Sequence, residues 1–478
     1  MNTPSTTRAI KLLTFASLSV VGGVFSAVSA DAQAATTTTT SGVTIPWLTN
    51  SPTLPGVTDL SLTGKESYDD NVLAVSGLGL PEQSSWVSDI TFRIGFDFAP
   101  LLNVGPGLSS ATFVYQGERA DYHNLPSENY TSHRFYDVFK GNAGNFSYSL
   151  DNAFLYVDGN KLAETYAANQ LSGAAANQGD KYRNNLAHQV ARERRNQIQD
   201  RYTAQARLNL ADNLLFVRPI SNLTYYNLDT YLFSTSKAPY LGYQDYIDRW
   251  DINGGADIGI NVAPNFAFTV GYRDGFQHQD QFALAINSDQ HFSANHYQRV
   301  LFGFEGQPLK GLTVKFAAGP DFRDFNPDAP IIHDKTTRYY GEASATYTLT
   351  KQQSLNFTYK QWIFVSSTGL VPYDDISYAL TYHVDVAPRL GLDLGARYLE
   401  TNYTLGDDFA GSAPSLRDDL EYEGSVGFNY LIAPHFTANV AYVYDKGENG
   451  LESLAANLDP AYRDFEHAVV TFGLKYSF

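Results

Sequence analysis

The chain has 478 residues, a formal net charge of −17, 43% hydrophobic residues and a mean hydropathy of −0.27. It has no cysteine, which excludes disulfides and a lipid-anchored N-terminus. Beyond the N-terminal region no segment reaches the roughly 18 consecutive apolar residues of a membrane-crossing helix, and the acidic balance speaks against nucleic acid as a partner. A low mean hydropathy is also what a membrane β-barrel shows, because alternating faces average out. Aromatic residues make up 14%, with 33 Tyr, a residue suited to the lipid–water boundary.

At the N-terminus Arg8 and Lys11 are the only charges before Asp31, and residues 12–30 form an apolar, small-residue run. Ser and Gly dilute that run, and Ala30, Ala32 and Ala34 follow as candidate cleavage positions. Residues 1–30 thus read as a cleaved secretory signal, with cleavage between 30 and 34, rather than as an anchor. Residues 31–56 carry a Thr run at 36–40 and then Pro46, Pro52 and Pro55, and predict a low-complexity tether without a core.

From 57 to 478 the pattern changes to period-2 segments of barrel-crossing length. The first half predicts strands at 57–68, 87–98, 111–118, 130–139, 146–157, 197–210 and 215–226, with a GNAGN turn at 141–145. The second half predicts 249–262, 266–272, 297–305, 312–321, 338–349, 355–364, 376–386, 390–398, 420–432, 436–444 and 465–478. In 376–386 Ile376, Tyr378, Leu380, Tyr382, Val384 and Val386 alternate with residues that include Ser377, Thr381, His383 and Asp385. Alternate side chains of a strand face opposite ways, so one face is greasy and the other polar.

The connections alternate between short and long. FAPLL (98–102), VAPNF (262–266), VAPRL (386–390) and IAPHF (432–436) share a short Pro turn, and LADNL (210–214) is a relative without Pro. Proline lacks an amide donor and suits a turn better than a ladder. Polar connections at 278–294, 324–335, 366–373, 405–417 and 446–463 lie between them. The fold expected is all-β: a transmembrane, antiparallel, up-and-down barrel of about 18 strands, within a range of about 16–18, with short periplasmic turns and long extracellular loops. Strands that begin near 57 leave no passenger segment for an autotransporter. A barrel of that width encloses water.

The chain ends VTFGLKYSF, with Phe472, Leu474, Tyr476 and Phe478 on one face and Lys475 on the other. That pattern resembles the C-terminal signal read by barrel-assembly machinery. The stretch KESYDDNVL (65–73) and the following WVSDITFRIGFDF (86–98) resemble the opening of an outer-membrane β-barrel porin family found beside exopolysaccharide export functions. The match is carried by Tyr68, Asp69, Asn71 and Val72, then Ser88 and Asp89, and in style by PRLGLDLGARYLETNY (388–403). The resemblance implies barrel architecture and an outer-membrane location. It implies no particular activity.

Predicted lumen-facing charges are Arg93, Asp97, Arg207, Asp257, Arg273, Lys315, Arg338, Glu342, Asp385, Asp393, Arg397, Glu421, Glu423 and Lys475. Opposed charges across a pore tune passage, and the same charges form ladders that stiffen a wall. Asp pairs at Asp69 and Asp70, Asp374 and Asp375, Asp407 and Asp408, and Asp418 and Asp419 fall at predicted extracellular strand ends. They suit weakly held calcium or magnesium at the rim, bridging to lipopolysaccharide phosphates, or plain Asx turns. A basic island spans 181–207, with Lys181, Arg183, Arg192, Arg194, Arg195, Arg201 and Arg207. It reads as a solvated helical turn, a phosphate-touching loop or an anion constriction. Trp86, Trp250 and Trp362 fall at outer strand ends, where an aromatic girdle belongs.

Catalysis has little support. His383, Asp385 and His467 lie in strands, but no nucleophile motif, metal-ligand spacing or phosphate loop accompanies them. The sequence therefore predicts an outer-membrane, porin-like channel for hydrophilic solutes or polysaccharide export, without a resident cofactor. Its expected partners are lipid, lipopolysaccharide, the assembly machinery and polysaccharide export proteins. The alternatives are a closed structural barrel serving an envelope export or assembly machine and, last, an outer-membrane hydrolase.

Overall fold

The alternating segments fold as strands because each can bury neither face alone and pairs its backbone with both neighbours. The computed structural model describes residues 56–72, 82–102, 107–159, 196–229, 249–279, 294–325, 335–364, 373–402, 418–449 and 465–478. The first nine strands are β1 (Val57–Asp69), β2 (Ser85–Asp97), β3 (Ser110–Tyr122), β4 (Tyr130–Ala143), β5 (Phe146–Gly159), β6 (Asn196–Leu210), β7 (Leu215–Asp229), β8 (Arg249–Ala263) and β9 (Phe266–Gln279). The rest are β10 (Asn295–Leu309), β11 (Leu312–Phe325), β12 (Lys335–Thr350), β13 (Gln353–Phe364), β14 (Tyr373–Ala387), β15 (Leu390–Asn402), β16 (Asp418–Ala433), β17 (Phe436–Asn449) and β18 (Phe465–Ser477). They form one 18-stranded antiparallel sheet in sequence order, and β18 pairs with β1 to close it. The expected barrel and its strand number are thus what the chain forms.

Residues paired across an antiparallel ladder share a face, so the register orients the whole ring. Phe472 lies opposite Val440 on β17 and Glu66 on β1, and Leu474 lies opposite Ala438 and Gly64. Phe472 and Leu474 are exposed, which marks that face as the outside. Following the register outward gives Leu62, Ile90, Ile258, Val270, Phe302, Leu380, Leu394 and Val440 as further exposed apolar residues. The outer band is flanked by two aromatic belts. At the end of the short turns stand Phe266, Phe304 and Phe316, with Phe304 and Phe316 stacked at 5.2 Å, and Phe436 beside Tyr476 at 4.7 Å. At the other end Trp86 packs on Tyr68 at 5.3 Å and Trp250 on Phe276 at 5.4 Å, and Tyr359, Tyr378, Tyr398 and Tyr422 form a ladder across β13–β16. An apolar band between two aromatic girdles fits a bilayer.

Short turns close one end. Gly144 takes φ +64° between β4 and β5, and Gly311 takes φ +81° between β10 and β11. In the Pro-less turn Ala211, Asp212 and Asn213 all carry positive φ, where Asp and Asn are at ease and Ala is not. Apart from the β2–β3 connection at 98–109, the longer connections leave from the opposite end of the barrel.

Two local expectations change. FAPLL is not a tight turn: Ala99–Leu102 forms a single helical turn, α1, and the chain then continues to Ser110 before β3 begins. Strand β3 runs on to Tyr122, past the expected end at 118. The run 130–139 alternates less cleanly than its neighbours, and packing contributes to this. Here part of the inner face is apolar, with Ala153, Leu155 and Val157 buried against Tyr130 and Tyr136. The outer face instead carries Asp137 opposite Asn152.

Candidate functional site

The inner surface is built from the polar alternate residues, and it is electrically lopsided. Along β6–β13 the inward register positions carry Arg201, Arg207, Arg218, Arg249, Arg273, Arg299, Lys315, Arg323, Arg338 and Lys360 against Asp251, Asp257, Glu305, Asp321 and Glu342. From β14 through β18 to β3 the balance reverses. There Asp375, Asp385, Asp393, Glu421, Glu423, Asp445, Asp59, Asp69, Asp89 and Glu118 stand against Arg397, Lys475, Lys65 and Arg93.

The basic arc spends its charge on itself. Arg218 bonds Asp257 at 2.8 Å and Glu305 at 2.7 Å, Arg273 meets Asp257 at 2.8 Å, and Arg207 reaches Glu305 at 3.4 Å. The Arg207 guanidinium lies 3.6 Å over the Phe216 ring, a cation–π contact. Phe216 lies on the inward register opposite Gly259, which has no side chain and leaves room for the ring. Lys315 pairs with Glu342 at 3.0 Å. On the acidic arc Arg397 bonds both Glu421 and Glu423, and Arg93 bonds Asp59 at 2.6 Å and Gln116 at 3.2 Å. The His383 ring meets Asp393 at 2.6 Å on one nitrogen and Asp385 at 3.4 Å on the other. The Asp385 and Asp393 side chains remain 49% and 48% exposed.

A second, drier layer lies nearer the end of the long connections. The Arg323 side chain has no exposure, and four acceptors surround it: Asp321 at 2.8 Å, Gln277 at 2.6 Å, Asn295 at 2.9 Å and the Ile363 carbonyl at 3.1 Å. Arg299 bonds Asp321 at 3.0 Å and lies 4.0 Å from the Tyr297 ring and 4.3 Å from the Tyr340 ring. Tyr297 donates to Asp251 at 2.8 Å, and Gln277 donates to Asp251 at 2.7 Å and to the Ile363 carbonyl at 3.0 Å. Ile363 does not belong to this stretch of wall. Strand β12 pairs with β11 as far as Lys335, yet with β13 only up to Gly341 opposite Gln361. Beyond that point 362–364 pair with β14 alone. The end of β13 has left the wall and lies on its lumen side.

The register puts every predicted lumen charge on the inner face, Arg338 and Lys475 included. Asp97 has a local duty there: its carboxylate accepts the Ala99 amide at 3.0 Å and the Ala111 amide at 3.2 Å and fastens the turn. Trp362 corrects the girdle expectation. It faces inward with 5% exposure and Lys360 4.9 Å over its ring. The sequence does not reveal the buried Arg323 layer, because spacing alone does not show which distant strands meet.

Asp374 and Asp375 take opposite faces of β14. Asp375 faces inward and accepts the Thr401 hydroxyl, whereas Asp374 faces the other way, with Gln361 donating to it at 3.3 Å. Asp69 takes His467 at 2.9 Å and the Asn71 amide at 3.0 Å, an Asx-type bond, and Asp70 accepts the Ala468 amide at 2.7 Å. Asp418 and Asp419 open β16 opposite Asn402 and Thr401. Among the described residues no three His, Asp or Glu side chains form a metal cage. Asp407, Asp408, Lys181, Arg183, Arg192, Arg194 and Arg195, with the expected signal segment 1–30, most of the expected tether and 160–195, lie outside the described residues.

No family model and no curated protein matches the chain. Solved structures do. The chain is similar to the outer membrane protein opdK from Pseudomonas aeruginosa, at 10% identity over 88% of this chain and 99% of that one, with a TM-score of 0.40. It is similar to OccK2 (OpdF) from Pseudomonas aeruginosa, solved in complex with glucuronate, at 12% identity over 88% and 98%, with a TM-score of 0.39. It is similar to the siderophore receptor PirA from Acinetobacter baumannii, at 8% identity over 88% and 80%, with a TM-score of 0.37.

Proposed function

We propose that the chain is an integral outer-membrane barrel that passes small hydrophilic solutes through its lumen by diffusion. One observation carries the reading: the closed 18-stranded sheet has a polar, charged inner face and an apolar outer face. A closed sheet leaves no unpaired edge in lipid, and a barrel of this width encloses more than its own side chains fill. Outward Phe472, Leu474 and Tyr476 are then the residues offered to lipid and to the assembly machinery. The wall charges act as a field on solutes in transit. Purified, refolded protein in liposomes should make them swell in isosmotic sugar solution, faster for a monosaccharide than for a trisaccharide. Liposomes that hold heat-modifiable, folded protein and do not swell in either sugar would remove this reading.

A further inference from the structure

We propose that the inward-lapped end of β13 is the size filter of this channel, and that Arg323 and Gln277 are the latch that positions it; the proposal rests on the channel reading above. Strands β9 and β13 are four places apart in the sheet, about 19 Å along the wall at the usual strand spacing. A glutamine side chain cannot span that distance, yet Gln277 donates to the Ile363 carbonyl at 3.0 Å. Arg323, two places away on β11, donates to the same oxygen at 3.1 Å. The two contacts fit together only if the end of β13 crosses in front of β11 and β9 inside the barrel.

Two burial facts agree. Ile363 is on the outward register of β13, where Tyr378 and Leu380 on the neighbouring strand are exposed, but Ile363 has 0% exposure. Its side chain meets protein instead of lipid. Trp362, on the opposite face, is also buried.

The lap is built rather than frayed. A strand end that leaves its ladder loses backbone partners, and an unpaired carbonyl in a water-poor place is costly. Here two side chains replace the lost donors. Arg323 in turn depends on the lap, since the Ile363 carbonyl is one of the four acceptors around a charge with no exposure. Removing a partner of a buried charge is strongly destabilising, so the latch holds one geometry. Stacked sheet layers stand about 10 Å apart, so the lap takes that depth from one side of the passage.

The test uses the full-length refolded protein. Single-channel conductance and the liposome sugar cut-off are measured for wild type, Arg323→Ala, Gln277→Ala and the double variant, each checked for folding by heat-modifiable migration. Releasing the lap should raise conductance roughly twofold, the order expected when one strand layer leaves a lumen of this width, and should admit a larger sugar. The double variant should be no wider than Arg323→Ala alone, because both residues hold one carbonyl. If Arg323→Ala does not fold, Gln277→Ala decides, since it removes an uncharged donor from the same oxygen. A conducting wild type whose folded latch variants match it in conductance and cut-off overturns the filter. A wild type that conducts nothing overturns the channel reading instead.

Discussion

Gly275 faces inward on β9, where a Cβ would overlap the buried Tyr297 ring. That ring carries the hydroxyl bonded to Asp251 and lies under both Arg299 and Arg323. Gly64, outward on β1, has nothing within 4 Å of the equivalent position. Gly275→Ala should therefore cost about 1–3 kcal/mol by overpacking, whereas Gly64→Ala should change stability by less than about 1 kcal/mol. The comparison is read as urea midpoints of the barrel refolded in vesicles, and equal midpoints would contradict the packing described. The sequence shows that inward glycines exist on β8 and β9. It does not show which ring each one admits, because Phe216 and Tyr297 come from other strands.

At the scale of elements, legibility followed alternation. The run 376–386 reads as a strand because its outward residues face an apolar medium and its inward ones water. The run 130–139 reads less clearly because β4 and β5 break that rule in places: Leu155 and Val157 are buried inside, and Asp137 stands opposite Asn152 outside. Asn152 also donates to Asp200 at 2.6 Å on the same outer face. A carboxylate on the lipid side is unfavourable, less so for Asp than for Arg or Lys. Asp137→Leu should thus raise the urea midpoint, by about 1 kcal/mol. A lowered midpoint would mean that Asp137 serves a structural contact on that face. Trp362 shows a second limit: its position at a strand end was legible, but its side was not, because β13 leaves the wall after Gln361.

At the scale of the whole molecule, closure, strand number and the two unlike ends follow from periodicity and turn residues, and the lumen charges follow from which alternate residue is polar. The division into arcs does not, because Arg218 with Glu305 and Arg93 with Asp59 pair across long stretches of chain. Its consequence is selectivity. Arg218, Arg273, Arg299 and Arg323 are consumed in buried pairs, while Asp385 and Asp393 face water. In a potassium chloride gradient the current should reverse on the potassium side of zero, and Asp393→Asn with Glu423→Gln should move it toward zero; reversal on the chloride side would contradict this charge division. The most direct measurement is planar-bilayer recording on purified, folded protein. The polar lumen of a closed 18-stranded barrel predicts stepwise insertions with a reproducible, ohmic conductance, and a membrane that takes up folded protein yet shows no conductance step would contradict the channel.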